Sequence, residues 1–273
     1  MDVCLVTDSN AMLPAELRQR FSITVVPLTV VVDGIDHRED TLDPVAFCAR
    51  LRAGATVTTS APSPGELLAA YEEAVSSAAE GVLSVHVGSN QSATVAAAQV
   101  AAGMVDLPVT VVDTGTASFI EGCCVWRAGE VLATGGSVAE AAAAAERTAG
   151  AVASVFTIGE IDRARASGRL AVGDDGGVPV FASRGADMRE MQRATTVEAA
   201  TRAMVAAVAE HDGPLRVGVG DADAGDAAAT LLDALSALPQ VVETIRYTVG
   251  PSVAAHTGAG TFGAVYHPIE RAG

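Results

Sequence analysis

Val82-Leu-Ser-Val-His-Val-Gly-Ser-Asn-Gln-Ser-Ala-Thr-Val-Ala-Ala-Ala-Gln99 opens as a short valine-rich apolar run and passes through the polar turn Gly88-Ser89-Asn90-Gln91-Ser92. It then continues in an alanine-rich helical pattern. This reads as a buried strand feeding the N-terminus of a helix. A helix start exposes unpaired backbone N–H groups and the positive end of the macrodipole, so a hydroxyl-rich turn there suits an anion. The plainer reading of the same turn makes Ser92 an N-cap.

Outward from this unit, strand and helix patterns alternate. Upstream, Val3–Thr7 reads as a strand, Asp8-Ser9-Asn10 as a turn and cap, and Pro14 as the start of a short helix. Ile23–Val32 reads as a second strand broken by Pro27, Ile35–Arg38 as a short strand, and Asp43-Pro44 as the cap of a helix to about Arg52. Thr58-Thr59-Ser60-Ala61-Pro62-Ser63-Pro64 reads as a hydroxyl- and proline-rich loop. Ser63 then caps a helix with Glu66 at capping-box spacing. Downstream, Pro108–Val112 reads as a strand, and Gly135-Gly136 splits two helical patterns, Ser118–Ala133 and Val138–Ala149. Such alternation predicts an α/β fold with a mostly parallel sheet covered on both faces.

The character changes near residue 150. Strand patterns at Val152–Ile158, Val178–Ala182, Leu215–Val219 and Val241–Thr248 alternate with helices at Glu160–Ala166, from Thr195 or Thr196 to Glu210, and at Ala224–Leu238. These predict a second, smaller α/β unit, followed by the glycine- and threonine-rich Gly250–Tyr266.

Composition narrows the function classes. The 273 residues are 49% hydrophobic and 18% charged, which is globular, and no apolar run reaches the roughly 18–20 residues of a spanning helix. A net charge of −16 argues against nucleic acid and against stable docking on anionic membranes. Cys4, Cys48, Cys123 and Cys124 show no CxxC spacing, and with no basic leader before Val3 they read as free thiols of a cytoplasmic protein. The five histidines show no HxxxH or HExxH pattern, so no dedicated metal site is expected.

Gly258-Ala259-Gly260-Thr261-Phe262-Gly263 matches GxGxxG, but the chain ends ten residues later, too soon for the rest of a dinucleotide unit. Its glycines read instead as permission for close backbone approach. Asp221, Asp223 and Asp226 lack the remaining ligands of a calcium loop and read as helix capping. Ser92 and His256 can be paired on paper as nucleophile and base, without a GxSxG elbow or an evident orienting acid.

One ordered set of short motifs spans nearly the whole chain. It comprises Thr7-Asp8-Ser9, Pro27-Leu28, Thr59-Ser60-Ala61-Pro62-Ser63-Pro64, Ser89 with Ser92 and Thr94, Val112-Asp113, Gly168-Arg169-Leu170, and Ala255-His256-Thr257-Gly258-Ala259-Gly260. Each is weak singly; together, in this order and spacing, the set resembles the DegV family of bacterial fatty-acid-binding proteins. The resemblance implies a two-domain α/β protein, with residues 1–150 and 151–273 as its domains and one long-chain fatty acid held in an internal tunnel between them. It implies that Thr59 and Ser92 bind the carboxylate, with His256 near the same head group and Ser60, Ser89 and Thr94 in support. Arg169 and, more loosely, Arg193 would serve presentation of the head group to a partner fatty acid kinase, which makes the acyl phosphate. The chain itself is then a lipid carrier and not an enzyme, with no catalytic residue and no cofactor other than the bound acid.

The sequence departs from the family's usual residues at Ala93 for glycine after the head-group serine, at Ala61, at Ser167, at the acidic Asp174-Asp175, and at Ala259 where many members carry proline. Two rival readings remain: a stand-alone transferase or kinase-like enzyme using the anion-binding turn, and a Ser/His hydrolase.

Overall fold

The computed structural model describes residues 2–168, 176–185 and 187–269. The chain divides into two compact units, one made of Met1–Thr41 and Val57–Gly150, the other of Leu42–Thr56 and Ala151–Gly273. The division is therefore discontinuous in sequence, with a short early segment counted in the later unit.

In chain order the first half runs β1 (Val3–Asp8), α1 (Ala15–Arg20), β2 (Thr24–Val26), β3 (Thr29–Val32), β4 (Ile35–Arg38), α2 (Pro44–Arg52), β5 (Val57–Ser60) and α3 (Pro64–Ser76). It continues with β6 (Gly81–His86), α4 (Thr94–Ala102), β7 (Val109–Asp113), α5 (Phe119–Ala133) and α6 (Val138–Ala151). All pairings in the main sheet of this unit are parallel, in the order β2-β1-β6-β7. The chain leaves β1 toward β2 on one side and returns to the other side for β6 and β7. The order thus reverses between β1 and β6, and ligands of open parallel sheets bind outside the carboxyl ends of the strands at such a point.

Helix α3 starts as the sequence predicts. Ser63 accepts from the Glu66 N–H at 3.3 Å and Glu66 accepts from the Ser63 N–H at 2.8 Å, a complete capping box with Pro64 in the first turn. Its buried residues Leu67, Tyr71 and Ala74 recur at helical spacing and pack with Val6, Val82, Ala98 and Ala101. Alanine on α4 lets the two helices approach each other over the sheet.

Two expectations change in this unit. The strand expected over Ile23–Val32 is two strands, because Pro27 has no N–H for the ladder: β2 joins the parallel sheet and β3 an antiparallel one, ordered β4-β3-β5. The loop expected over residues 58–64 begins as β5, where β-branched Val57, Thr58 and Thr59 pair with β3 and alternate between half-buried and exposed.

The second unit contains α2 and then β8 (Ala153–Thr157), α7 (Ile161–Ser167), β9 (Val178–Arg184), β10 (Asp187–Ala194), α8 (Val197–Ala209), β11 (Leu215–Asp221), α9 (Gly225–Ser236), β12 (Val241–Thr248), α10 (Pro251–Thr257) and β13 (Phe262–Pro268). Its sheet has the order β10-β9-β8-β13-β11-β12, antiparallel except for β11 with β12. The core combines Val217 and Val219 of β11 with Ala200, Met204 and Val208 of α8 and with Ala228, Leu231 and Leu235 of α9. The GxGxxG match proves to be close packing. A Cβ at Gly258, where φ is +83°, would lie 2.3 Å from Glu160 Cβ, and one at Gly263 would lie 2.4 Å from Phe156 Cβ.

Candidate functional site

At the carboxyl end of the parallel sheet, three strands finish side by side, with Thr7 paired to Val85 and His86 to Asp113. Backbone and side chain tie the following turns together. The Gly88 N–H donates to the Thr116 carbonyl at 2.7 Å, the Ser89 N–H to Asp113 Oδ1 at 3.1 Å, and the Thr114 hydroxyl to the His86 carbonyl at 2.8 Å. Gly88 leaves no space for a side chain, since a Cβ there would lie 2.5 Å from the Gly115 carbonyl carbon. Burial alone would raise the Asp113 carboxyl, but hydrogen bonds from Ser89 and from the Gly115 and Ser89 backbone hold it below the usual carboxylate range.

The turn closes on Ser92, whose N–H donates to the Gly88 carbonyl at 3.1 Å. Ser92 is half-buried and shares a 2.8 Å hydrogen bond with the hydroxyl of fully buried Thr94. It is not the N-cap: that position is Ala93, without a side-chain cap bond, and the Ser92 hydroxyl instead accepts from the Thr94 N–H at 3.3 Å. The first turn of α4, whose N–H groups beyond Thr94 have no side-chain cap from Ala93, thus stands beside two clustered hydroxyls, which is the chemistry of an anion cradle. Ser89 is exposed on the same turn.

The other expected residues occupy distinct places. Thr59 is half-buried and Ser60 exposed on β5 of the same unit. His256 belongs to the second unit and sits in the last turn of α10, a helix started by Pro251, where a glycine-rich loop was expected. Its ring is half-buried. Arg193, on β10, holds Glu190 through two hydrogen bonds of 2.7 and 3.1 Å and donates to the Gly176 carbonyl at 3.2 Å. Arg169 and Asp174-Asp175 lie outside the described residues. Asp221 accepts the Ala224 N–H at 2.8 Å and pairs with Arg246, while Asp223 pairs with Arg52. Among the described residues no cluster of three His, Cys, Asp or Glu side chains is arranged for a metal ion, and no helix is long and apolar enough to cross a membrane.

Behind the turn lies a network that the motifs did not reveal. Tyr71 Oη lies 2.9 Å from Ser84 Oγ, Ser84 Oγ 2.7 Å from His86 Nε2, and His86 Nδ1 2.9 Å from Asp8 Oδ2. Asp8 also accepts the Val87 N–H at 3.2 Å and the Asn10 N–H at 3.0 Å. With Asp8 as acceptor, one direction satisfies every member: Tyr71 donates to Ser84, Ser84 to His86, and His86 to Asp8. Burial raises the Tyr71 phenol, which keeps it a donor. Ser84, His86 and Asp8 have the connectivity of a hydrolase triad but are 0% exposed, so the trio is core architecture that no substrate reaches. The signal in the sequence was Ser84 and His86 two apart on one face of a strand.

Beside it, Glu121 on α5 is fully buried. Its Oε1 accepts the Thr7 hydroxyl at 3.1 Å, and its Oε2 has no hydrogen-bond partner among the described residues. Burial first, then the nearby Asp8 and Glu39 carboxylates, push the Glu121 carboxyl well above its ordinary range. A raised acid binds its proton more tightly folded than unfolded. Stability is therefore greatest below the ordinary glutamate range and declines as pH rises toward the raised value. Glu121→Gln is expected to flatten that decline and to add roughly 1–3 kcal/mol at pH 8. Urea unfolding of both proteins between pH 4 and 8 measures it, and parallel pH profiles would refute the assignment.

Residues 2–268 match the model of the DegV family, described as an uncharacterised protein family. The chain belongs to the DegV family. A DegV domain-containing protein of Streptomyces coelicolor is 33% identical, over 96% of this chain and 97% of its own length. A DegV family protein from Thermus thermophilus, described for its fatty acid binding, superposes with a TM-score of 0.91 at 32% identity and covers 98% of this chain and 100% of its own. DegV from Bacillus subtilis, described as a fatty acid binding protein, superposes at 0.87 with 26% identity and covers 98% and 100%. The fold of this chain is the DegV fold of those proteins.

Proposed function

We propose that this chain is a cytoplasmic carrier that binds one long-chain fatty acid and presents its carboxylate to a partner fatty acid kinase, without catalysing the transfer itself. The observation that carries the reading is the near-complete match, in sequence and structure, to the Thermus thermophilus DegV protein described for fatty acid binding. The turn at the carboxyl end of β6 supports it chemically. Thr59 and Ser92 supply hydroxyl donors, the α4 N-terminus supplies N–H groups, and Ser60, Ser89 and Thr94 assist. His256 is assigned to assist as a further donor. Arg169 and Arg193 are assigned to the encounter with the kinase, Arg193 from a guanidinium already held by Glu190.

The energetics fit a lipid. About 15 methylenes at ~0.8 kcal/mol each give roughly 12 kcal/mol of gross burial, from which the costs of association are subtracted. The acyl chain then supplies most of the gross binding energy, and the head group can be held by hydrogen-bond donors without a dedicated cation, which suits a chain of net charge −16. Denaturing the purified protein and analysing its lipid extract by mass spectrometry is expected to release about one long-chain acid per chain. An empty extract, with no uptake of added palmitic acid, rejects the reading. Loaded protein with ATP alone is expected to give no hydroxylamine-trappable acyl phosphate, whereas added fatty acid kinase gives it. Acyl phosphate formed without the kinase would establish the stand-alone enzyme instead.

A further inference from the structure

Two glycine turns interlock behind His256. The Gly159 and Glu160 N–H groups both donate to the Thr257 carbonyl, at 3.0 and 3.1 Å, and the Gly159 N–H also reaches Thr261 Oγ1 at 3.0 Å. The backbones touch so closely that a Cβ at Gly159 would lie 2.0 Å from the Ala259 carbonyl oxygen. The Glu160 side chain completes the clasp. Its Oε1 accepts the N–H of buried Ala259 at 3.0 Å, and its Oε2 accepts from Arg163 Nε at 2.7 Å. Arg163 in turn donates to the Leu51 and Ala55 carbonyls, at 3.3 and 3.5 Å, where α2 ends. Helix α10, which carries His256, packs against both α7 and α2. One carboxylate thus bridges the turn after His256 to both of the helices that α10 rests on.

A backbone clasp alone would leave the Ala259 N–H buried without its acceptor, and such a donor is costly. It is the charged side chain, oriented by Arg163, that fixes the direction in which α10 ends. We propose that Glu160, oriented by Arg163, is a positioning residue for the His256 turn and sets fatty acid affinity through it. The affinity part rests on the reading that His256 serves the carboxylate; the positioning part does not.

The test uses delipidated full-length protein, cis-parinaric acid as fluorescent probe, and hydrogen exchange at the Ala259 amide. E160A is expected to exchange at Ala259 at least tenfold faster and to bind the probe about tenfold more weakly, the loss of one charge-assisted hydrogen bond. E160Q keeps a carbonyl acceptor for Ala259 and is expected to stay within about twofold of the parent. Because Glu160 acts through His256, the E160A/H256A double variant is expected to bind no more weakly than H256A alone. Parent-like exchange and affinity in E160A, or losses that multiply in the double variant, overturn the proposal. An H256A protein that binds as tightly as the parent overturns the head-group reading instead, while exchange at Ala259 still judges the positioning. Should E160A not fold, R163M leaves the acceptor in place but frees it. R163M is then expected to bind about threefold more weakly with faster Ala259 exchange, and parent-like values there reject the proposal equally.

Discussion

Replacing Asp8 with alanine is expected to destabilise the first unit by about 3–5 kcal/mol. Asp8 is fully buried and accepts from three donors: His86 Nδ1 at 2.9 Å, the Val87 N–H at 3.2 Å and the Asn10 N–H at 3.0 Å. Alanine leaves all three facing a space that water does not reach, and each unsatisfied buried donor costs about 1–3 kcal/mol. The costs do not simply add, because the donors share one acceptor and relax together. One term opposes the loss. Asp8 helps hold the Glu121 carboxyl above its ordinary range, so its removal relieves part of the strain on that buried acid. Asp8→Ala is therefore expected to shrink the pH dependence that Glu121→Gln abolishes, and the two substitutions are expected to be non-additive. The chain's single tryptophan, Trp126 on α5, lies in this unit and reports its unfolding by fluorescence. A melting midpoint lowered by roughly 6–20 °C is expected. A midpoint within 2 °C of the parent would show that the network is ornamental.

That network explains why the anion-binding turn can be built from so few obvious signals. The Gly88–Ser92 turn is held from below by Asp8 through Val87 and from the side by Asp113 through Ser89. Neither acid announces itself in the sequence as a turn clamp, since each reaches across to another strand's end. What was legible was local. The capping box at Ser63 and Glu66, Pro44 after Asp43, and the valine-rich strand before Gly88 each depend on neighbours within a few residues, and each appears where local chemistry puts it. What was not legible depends on distant partners. Strand β10 reads Asp-Met-Arg-Glu-Met-Gln-Arg-Ala, with no apolar alternation, and exists because β9 offers it an antiparallel ladder. Strand β5 hides in a hydroxyl-rich stretch for the same reason, with β3 as its partner. The final helix and strand hide in a glycine-rich stretch because those glycines answer contacts with Glu160 and Phe156, more than 90 residues earlier in the chain. The ordered motif set named the right family because it samples such distant places together, which no single periodicity does.

Thr59→Val combined with Ser92→Ala is expected to weaken binding of a long-chain fatty acid by 100-fold or more while leaving the fold intact. Each substitution removes one hydroxyl donor to a carboxylate, a charge-assisted hydrogen bond worth ~1.5–3 kcal/mol, and valine keeps the β-branched shape that β5 prefers. The decisive contrast is with a serine that only caps. Ser63 accepts the Glu66 N–H in a complete capping box, so Ser63→Ala is expected to cost about 1 kcal/mol of stability and leave affinity unchanged. Ser92 stands one residue before the N-cap Ala93 and, unlike Ser63, is not half of a reciprocal capping box. Its removal is therefore expected to cost less stability than that of Ser63 and far more affinity. Titration of each delipidated variant with cis-parinaric acid, beside its urea midpoint, separates the two behaviours. If Ser92→Ala follows Ser63→Ala, losing stability but no affinity, then the turn after β6 is a helix start and the carboxylate is bound elsewhere. If it loses affinity alone, the hydroxyl belongs to the ligand. An alanine at the N-cap then leaves the first-turn N–H groups beyond Thr94 without a side-chain cap, available to the same anion.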